Sequence, residues 1–174
     1  MTTARLITPD IAYKDSYIAA MREFKAEGLL HYVDLDIDQM ERDFDDYVRG
    51  LLDREHTVPS GWVTETVMWL VDEKGFIGRI SFRHYLTDSL RRFGGHIGYE
   101  VRPTRRKEGH GKAMLRDMLP IARARGLEKV MLTCDQTNIG SQKIIQGNGG
   151  VLEDVIQLDF RPTPTMRWWI SLGK

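Results

Sequence analysis

The sequence predicts an α+β protein in which a mixed sheet is flanked by helices. Three observations predict it. Short apolar segments alternate with a period of two, longer segments repeat apolar residues three and four apart, and glycine or proline sits at the junctions between them. The implied order is β-α-α-β-β-β-α-β-α-β-β. A chain of 174 residues is expected to form one domain, 1–174, with a full core.

Residues 5–8 read as a short first strand. Thr8 and Pro9 form a helix start, a hydroxyl at the N-cap followed by proline at the first helical position. Tyr13, Tyr17, Ala20, Met21 and Phe24 then line one face before Gly28 stops the helix. Residues 29–36 read as a loop, and a second helix is expected over 37–53, with Ile37, Met40, Phe44, Tyr47, Val48 and Leu51 facing inward. A polar connector with Pro59, Ser60 and Gly61 follows. Residues 65–71 and 76–83 form a hairpin turned by Asp72-Glu73-Lys74-Gly75, and 84–93 is a longer connection. After the next strand and helix, residues 129–134 are a strand suited to burial and 138–146 a short helix. Residues 151–160 and 166–172 close the sheet.

Residues 94–111, GGHIGYEVRPTRRKEGHG, organise the rest. Ile97, Tyr99 and Val101 alternate with His96, Gly98 and Glu100, as in a strand, and Pro103 ends it. A basic turn, residues 102–107, leads to Gly109-His110-Gly111, which opens a helix carrying Met114, Leu115, Met118, Leu119 and Ala122. Pro120 removes the hydrogen bond to the Arg116 carbonyl, which predicts a kink, and Gly126 ends the helix. The first turn of a helix presents unpaired N–H groups and partial positive charge, and glycine lets a phosphate approach closely. With Arg106, Lys107 and Lys112 nearby, this stretch reads either as an anion site or as a solvated basic turn. It is neither a Walker loop, since Ala113 follows Gly111-Lys112, nor a dinucleotide fingerprint, since only Gly109 and Gly111 fit the spacing.

Composition narrows the classes. Hydrophobic content of 41% and charged content of 29% are those of a globular protein. Cys134 is the only cysteine, which excludes a disulfide framework and suggests a buried core residue. The N-terminus carries no apolar leader and no segment is long and apolar enough to span a bilayer, so a cytoplasmic protein without membrane contact is expected. His31, His56, His84 and His110 lack metal-ligand spacing, so no metal is expected. Net charge is zero, yet residues 34–46 hold seven acids against one base, and 79–116 ten bases against three acids. The acidic stretch reads as a solvated helix face or as a funnel for a cationic acceptor. The basic stretch carries no nucleic-acid motif, so nucleic acid is not an expected partner.

Arg106-Lys107-Glu108-Gly109-His110-Gly111 resembles the Arg/Gln-x-x-Gly-x-Gly/Ala signature of the GNAT superfamily of acyl-coenzyme A-dependent N-acetyltransferases. The strand before it, Gly98-Tyr99-Glu100-Val101-Arg102-Pro103, is also similar. So is Cys134-Asp135-x-x-Asn138-x-x-Ser141 leading to Asn148-Gly149-Gly150. The Gly-Gly-His-Ile-Gly-Tyr pattern looks most like a bacterial-type branch. The resemblance is good from Thr64 onward and looser before it. It implies a mostly antiparallel central sheet with flanking helices, whose strands splay after the central one to leave a cleft. It implies acetyl-coenzyme A as acyl donor and direct attack by a primary amine, on a small molecule or a peptide. The backbone of Arg106, Lys107, Gly109, His110, Gly111 and Lys112 would receive the coenzyme's pyrophosphate, and Val101 its pantetheine arm and thioester. Glu100, the only carboxylate on that strand, would be the base, unless it merely pairs with Arg102 or another nearby arginine. His96 shares its face and could assist. Asn138 caps its helix or contacts a ligand, and Ser141 contacts one. Many family members place a proton-donating tyrosine where this chain has Ile145. A non-catalytic acyl-coenzyme A sensor is therefore the alternative reading. Open strand edges in this fold make a homodimer possible.

Overall fold

Two antiparallel sheets meet at a single point, and that point determines where a cleft can open. The computed structural model describes residues 4–28 and 34–173, so the expected loop over 29–36 and His31 lie largely or wholly outside the described residues. The strands are β1 (Arg5–Ile7), β2 (Glu65–Asp72), β3 (Gly75–Arg83), β4 (Ile97–Val101), β5 (Lys129–Asp135), β6 (Val151–Ile156) and β7 (Thr165–Ser171). The helices are α1 (Lys14–Ala26), α2 (Ile37–Arg42), α3 (Phe44–Asp53), α4 (Asp88–Arg92), α5 (His110–Ala124) and α6 (Ile139–Gln146).

One sheet has the order β1-β2-β3-β4 and the other β5-β7-β6. The sheet expected to be continuous is thus divided between β4 and β5. These strands touch through one isolated bridge, Gly95 opposite Leu132. Around it, the His96 N–H donates to Met131 O (2.8 Å), and the Gly94 N–H donates to Thr133 Oγ1 (3.0 Å). His96 Nδ1 accepts from the Met131 N–H at 2.9 Å. Side chains therefore do at the seam what a main-chain ladder does elsewhere.

Two cores hold the sheets. On one side α5 underlies both, with Met114, Leu115, Met118 and Ala122 packed among Ile80 and Phe82 of β3, Val130 and Leu132 of β5, and Trp168 of β7. On the other side α1 and α3 cover the first sheet, with Tyr17, Met21, Phe24, Phe44 and Val48 against Trp69 and Phe76. Trp69 stacks on Tyr17 at 4.4 Å between ring centres. Helices on both faces explain why β2 reads as a nearly continuous apolar run: Trp69 serves one core and Leu70 the other.

Local differences from the sequence reading have physical causes. The cap of the first helical segment is Asp10, not Thr8: its carboxylate accepts from the Ala12 N–H (2.8 Å) and starts a 3-10 turn, Ile11–Tyr13, that runs into α1. The expected second helix is two, α2 and α3, parted at Asp43 (φ −106, ψ 32). The connection 84–93 contains α4, whose cap is Thr87, with Oγ1 accepting from the Leu90 N–H. Five residues are too few to leave a periodic signature. Helix α5 carries Pro120 within its span, as expected, and both Pro120 and Arg116 face solvent, where water can take up the freed carbonyl. Strand β6 ends at Ile156, short of the expected 160, and the Gln157 amide ties the following loop to the carbonyls of Leu158 and Arg161.

His96 makes the seam sensitive to acid. Burial first, then the nearby Arg91 and Arg83, lowers its pKa from 6.5 to about 4. The unfolded chain takes up this proton near pH 6.5, while the folded chain resists it until about pH 4. The stability contributed by neutral His96 is therefore complete above pH 6.5 and is lost as pH falls from 6.5 toward 4. The linked free energy is about 3 kcal/mol. Denaturant unfolding at about pH 7.5 and about pH 4.5 should show a smaller acid-induced loss in His96→Gln than in the wild type. Equal losses would show that His96 does not govern the acid response.

Candidate active site

The turn between β4 and α5 is fixed in place by arginines. Arg102 pairs with Glu23 of α1 (2.7 Å), whose carboxylate also accepts from the Thr104 hydroxyl. Arg105 pairs with Asp72 at the β2–β3 turn (2.8 Å). Hydrogen bonding from Arg105 holds the Asp72 carboxyl below its usual range against the effect of burial. Arg106 pairs with Glu27 through both ends of its guanidinium (2.6 and 2.8 Å), and its Nε donates to the Val101 carbonyl at 3.0 Å. So Arg106, read as a phosphate-facing charge, is directed instead at α1 and at the end of β4. The Val101 carbonyl is occupied by the same residue.

The backbone then turns through two left-handed residues, Lys107 (φ 65) and Gly109 (φ 84), the second serving as the N-cap of α5 with no side-chain cap. Gly109 is needed for that conformation. Gly111 is needed for packing, since a Cβ there would lie 2.6 Å from Ile144 Cδ1 of α6. Among the described residues, the N–H groups of Lys107, Glu108 and Gly109 have no backbone partner. Helix geometry leaves those of His110, Gly111 and Lys112 without one as well. Lys107 and Lys112 form no ion pair among the described residues. His110 turns its ring to Glu108 (Nε2 to Oε2, 3.0 Å) and offers the turn its main chain. Six N–H groups without a backbone partner stand at the start of a 15-residue helix, with Lys107 in the turn and Lys112 in the helix's first turn. The Lys112 ammonium reaches toward Gly147 at the end of α6. Together these groups suit a diphosphate.

Glu100 lies on the opposite side of β4 from Tyr99 and borders a cleft of about 510 Å³. Its Oε2 accepts from Arg79 Nε on β3 at 2.8 Å, so the arginine partner considered for it is Arg79, not Arg102. His96, on the same face by alternation, is committed to the seam. The cleft is also lined by Arg54, Glu65, Trp62, Ser81 and Arg83. No residue of the acidic stretch 34–46 lines it. Asp34, Asp36 and Asp38 border a separate hollow with Arg22 and Lys25, and Asp36 caps α2. The acids therefore do not form a funnel at Glu100.

On the other side of β4, the Tyr99 hydroxyl meets Ser141 Oγ of α6 at 2.7 Å. Burial pushes the Tyr99 phenol far above its usual pKa, against the hydrogen bond from Ser141. Asn138 Oδ1 caps α6 by accepting from the Ser141 N–H (3.0 Å), which presents the serine at the first turn. Ile145 is fully buried in the core with α5, and Cys134 is buried beside it. Tyr99, Arg79 and Arg83 were absent from the sequence-derived site. Arg79, Ser81 and Arg83 alternate along β3 and could have been read as one polar face.

Comparison with known proteins bears on this arrangement. The family described as Acetyltransferase (GNAT) domain matches residues 12–151. The chain belongs to the GNAT acetyltransferase family. Solved GNAT structures share its fold. The Salmonella typhimurium acetyltransferase that modifies the N-terminal serine of ribosomal protein L7/L12 superposes with a TM-score of 0.67 at 14% identity, over 98% of this chain and 96% of that one. The microcin C7 self-immunity acetyltransferase MccE, in complex with acetyl-CoA and AMP, gives 0.72 at 13% identity, over 97% and 92%. RimJ of Mycobacterium smegmatis, in complex with a CoA disulfide, gives 0.70 at 15% identity, over 97% and 81%. A comparison of the sequence with curated proteins finds no match. The GNAT assignment makes the protein an acetyl-CoA-dependent N-acetyltransferase. Among the described residues no helix is long and apolar enough to cross a membrane.

If the turn before α5 receives the coenzyme, the lysines and not Arg106 carry its charge recognition. Lys107→Glu and Lys112→Glu should each weaken acetyl-CoA binding about tenfold or more, the scale of one charge-assisted hydrogen bond. Arg106→Gln should act through stability, lowering the melting temperature. Calorimetric titration with acetyl-CoA and thermal melts of the three variants check this. Full affinity in both lysine variants would place the coenzyme elsewhere.

Proposed function

We propose that this GNAT protein moves the acetyl group of acetyl-CoA to a primary amine by direct attack, with Glu100 as the base and the Ser141–Tyr99 pair as the source of the proton for the departing sulfur. The observation that carries the reading is the arrangement around β4. A carboxylate in a cleft lies on one side, a hydrogen-bonded Ser–Tyr pair on the other, and the open N-terminus of α5 follows the strand's end.

Acetyl-CoA supplies an activated thioester carbonyl. The amides of residues 107–112, with Lys107 and Lys112, hold the diphosphate, and Asn138 fixes the Ser141 end of α6 beside the coenzyme's arm. Glu100 takes the ammonium proton of the acceptor, directly or through a water, so that nitrogen attacks with a free lone pair. The C–N bond forms and the C–S bond breaks. Ser141 donates its hydroxyl proton to the departing sulfur as it takes up the second proton released by the nitrogen of the tetrahedral intermediate, while Tyr99 holds the Ser141 oxygen in place. Burial keeps the Tyr99 phenol protonated, so it orients the Ser141 hydroxyl by a hydrogen bond and does not give up its own proton. Arg79 positions the Glu100 carboxylate. This assignment answers the absence of a tyrosine at Ile145: a hydroxyl comes from Ser141, one turn earlier on the same helix, held by Tyr99 of β4.

Glu100→Gln should lower kcat by about a hundredfold or more, the usual scale for a lost general base. Its acetyl-CoA affinity should be unchanged. Ser141→Ala and Tyr99→Phe should lower kcat by smaller factors and together no more than Ser141→Ala alone, because Tyr99 acts through Ser141. Steady-state release of coenzyme A with a saturating amine measures both. Wild-type turnover in Glu100→Gln would sink the base, and additive losses in the Ser141/Tyr99 pair would sink the positioning role of Tyr99.

A further inference from the structure

The cleft at Glu100 contains a cation that its own carboxylates do not balance. β2, β3 and β4 present one face to it, in a register that sets Arg79 beside Glu100, Ser81 beside Gly98, and Arg83 beside Glu65. Two carboxylates are already engaged, Glu100 by Arg79 and Glu65 by Arg54, each at 2.8 Å. Arg83 is the third guanidinium. Its Nη1 donates to the carbonyls of Gly94 (3.3 Å) and Gly95 (3.1 Å), and among the described residues no carboxylate lies within ion-pair distance of it. Arginine remains charged at neutral pH, and a largely buried cation whose hydrogen-bond partners are neutral carbonyls, with only the Arg54-engaged Glu65 carboxylate nearby, is unfavourable until a further anion joins it. The hydroxyl residues Thr87 and Ser89 border the same cleft. Gly98 leaves the floor clear between the two ends, since a Cβ there would meet nothing closer than Ser81 Oγ at 4.0 Å.

Resting on the acetyl-transfer reading above, we propose that the acceptor is a primary amine with a carboxylate at the far end of a short chain, its nitrogen at Glu100 and its carboxylate on Arg83. The spacing comes from the strand. Arg79, which marks the Glu100 end, and Arg83 are four residues apart on β3, about 13 Å along the chain. The reach of the side chains shortens that gap but does not close it to the single carbon of an α-amino acid. The walls between are apolar: Val67, Val63, Leu90, and Trp62, which is 67% exposed. They suit a run of methylenes. An ω-amino acid, or the side-chain amine of a diamino acid, has this layout.

The test uses ε-aminocaproate, its methyl ester and hexylamine, three amines of matched chain that differ in the distal anion. In coenzyme A release by the wild type, ε-aminocaproate should exceed both others by about tenfold or more in kcat/KM. Arg83→Gln should erase that preference through KM while acetyl-CoA affinity holds, and Arg83→Lys should keep part of it. Ester or hexylamine used as well as the acid by the wild type would overturn the proposal. So would a preference undiminished in a folded Arg83→Gln. Because Arg83 also tethers Gly94 and Gly95, the wild-type ranking decides the matter if the variant does not fold. Calorimetric binding of the same probes to the coenzyme A-loaded protein separates this proposal from the transfer mechanism. Acid binding that Arg83→Gln abolishes, without turnover of any amine, keeps the anion site and sinks the mechanism. Turnover of hexylamine with no preference for the acid in either readout keeps the mechanism and overturns the anion site.

Discussion

The division between β4 and β5 is the constraint on which the site depends. A continuous ladder there would place backbone hydrogen bonds where a ligand must pass, and β4 would have no unpaired side. The two sheets are instead joined at the Gly95–Leu132 bridge and its neighbours, then held together from below by α5. Splitting a sheet leaves main-chain donors and acceptors without partners, a cost tolerable only if the core does not rely on the missing ladder. Here it does not. Met114, Leu115 and Met118 contribute to one apolar cluster with both sheets, so burial across the seam replaces hydrogen bonding along it. The groups that remain at the seam are correspondingly specific, a buried neutral imidazole among them.

The same economy of contacts appears in the turn that follows β4. Three arginines in it face α1 or the β2–β3 turn, where Glu23, Glu27 and Asp72 receive them. Solvent-exposed ion pairs contribute little to stability, but several pairs converging on one short turn restrict its conformations. That restriction matters more than the energy of any one pair. A turn whose amides must converge on a ligand binds better when it does not have to be ordered at the moment of binding. The arginines thus hold the turn, and the lysines and main-chain amides are left to face outward.

Much of this was legible in the chain. The strand, basic turn and helix at 94–111 have local signatures, namely alternation, proline, glycine and a helical repeat, and these place Glu100, Gly109 and Gly111 correctly in the fold. What could not be read was partner choice. Arg106 and Lys107 are adjacent and of like charge, yet Arg106 is engaged by Glu27, 79 positions away, a contact only the tertiary fold creates. Of the two readings of the acidic run 34–46, its place away from the Glu100 cleft favours the solvated helix face. Clustering in sequence could not decide between them, because it does not say which hollow a helix borders. The break at Asp43 and the five-residue α4 were missed because one or two turns carry too little periodicity. The signal in Arg79, Ser81 and Arg83 was present as a polar alternation, but it gains meaning only once β4 lies beside β3.

In the proposed mechanism a single short strand also solves a problem that acetyl transfer poses. The site must take a proton from nitrogen and deliver one to sulfur without letting its own donor and acceptor neutralise each other. Adjacent residues of a strand point to opposite faces, so Glu100 and Tyr99 are neighbours in the chain and separated in space by the sheet itself. Glu100 opens on the acceptor cleft with Arg79, while Tyr99 reaches Ser141 on α6. The two environments differ: the carboxylate accepts a hydrogen bond from Arg79, and the phenol sits in a desolvated contact with Ser141 that disfavours its own ionisation. An isoleucine at position 145 is then no defect. It fills the core under α6, and in the proposed mechanism the hydroxyl function falls to residues that β4 and the first turn of α6 already bring together.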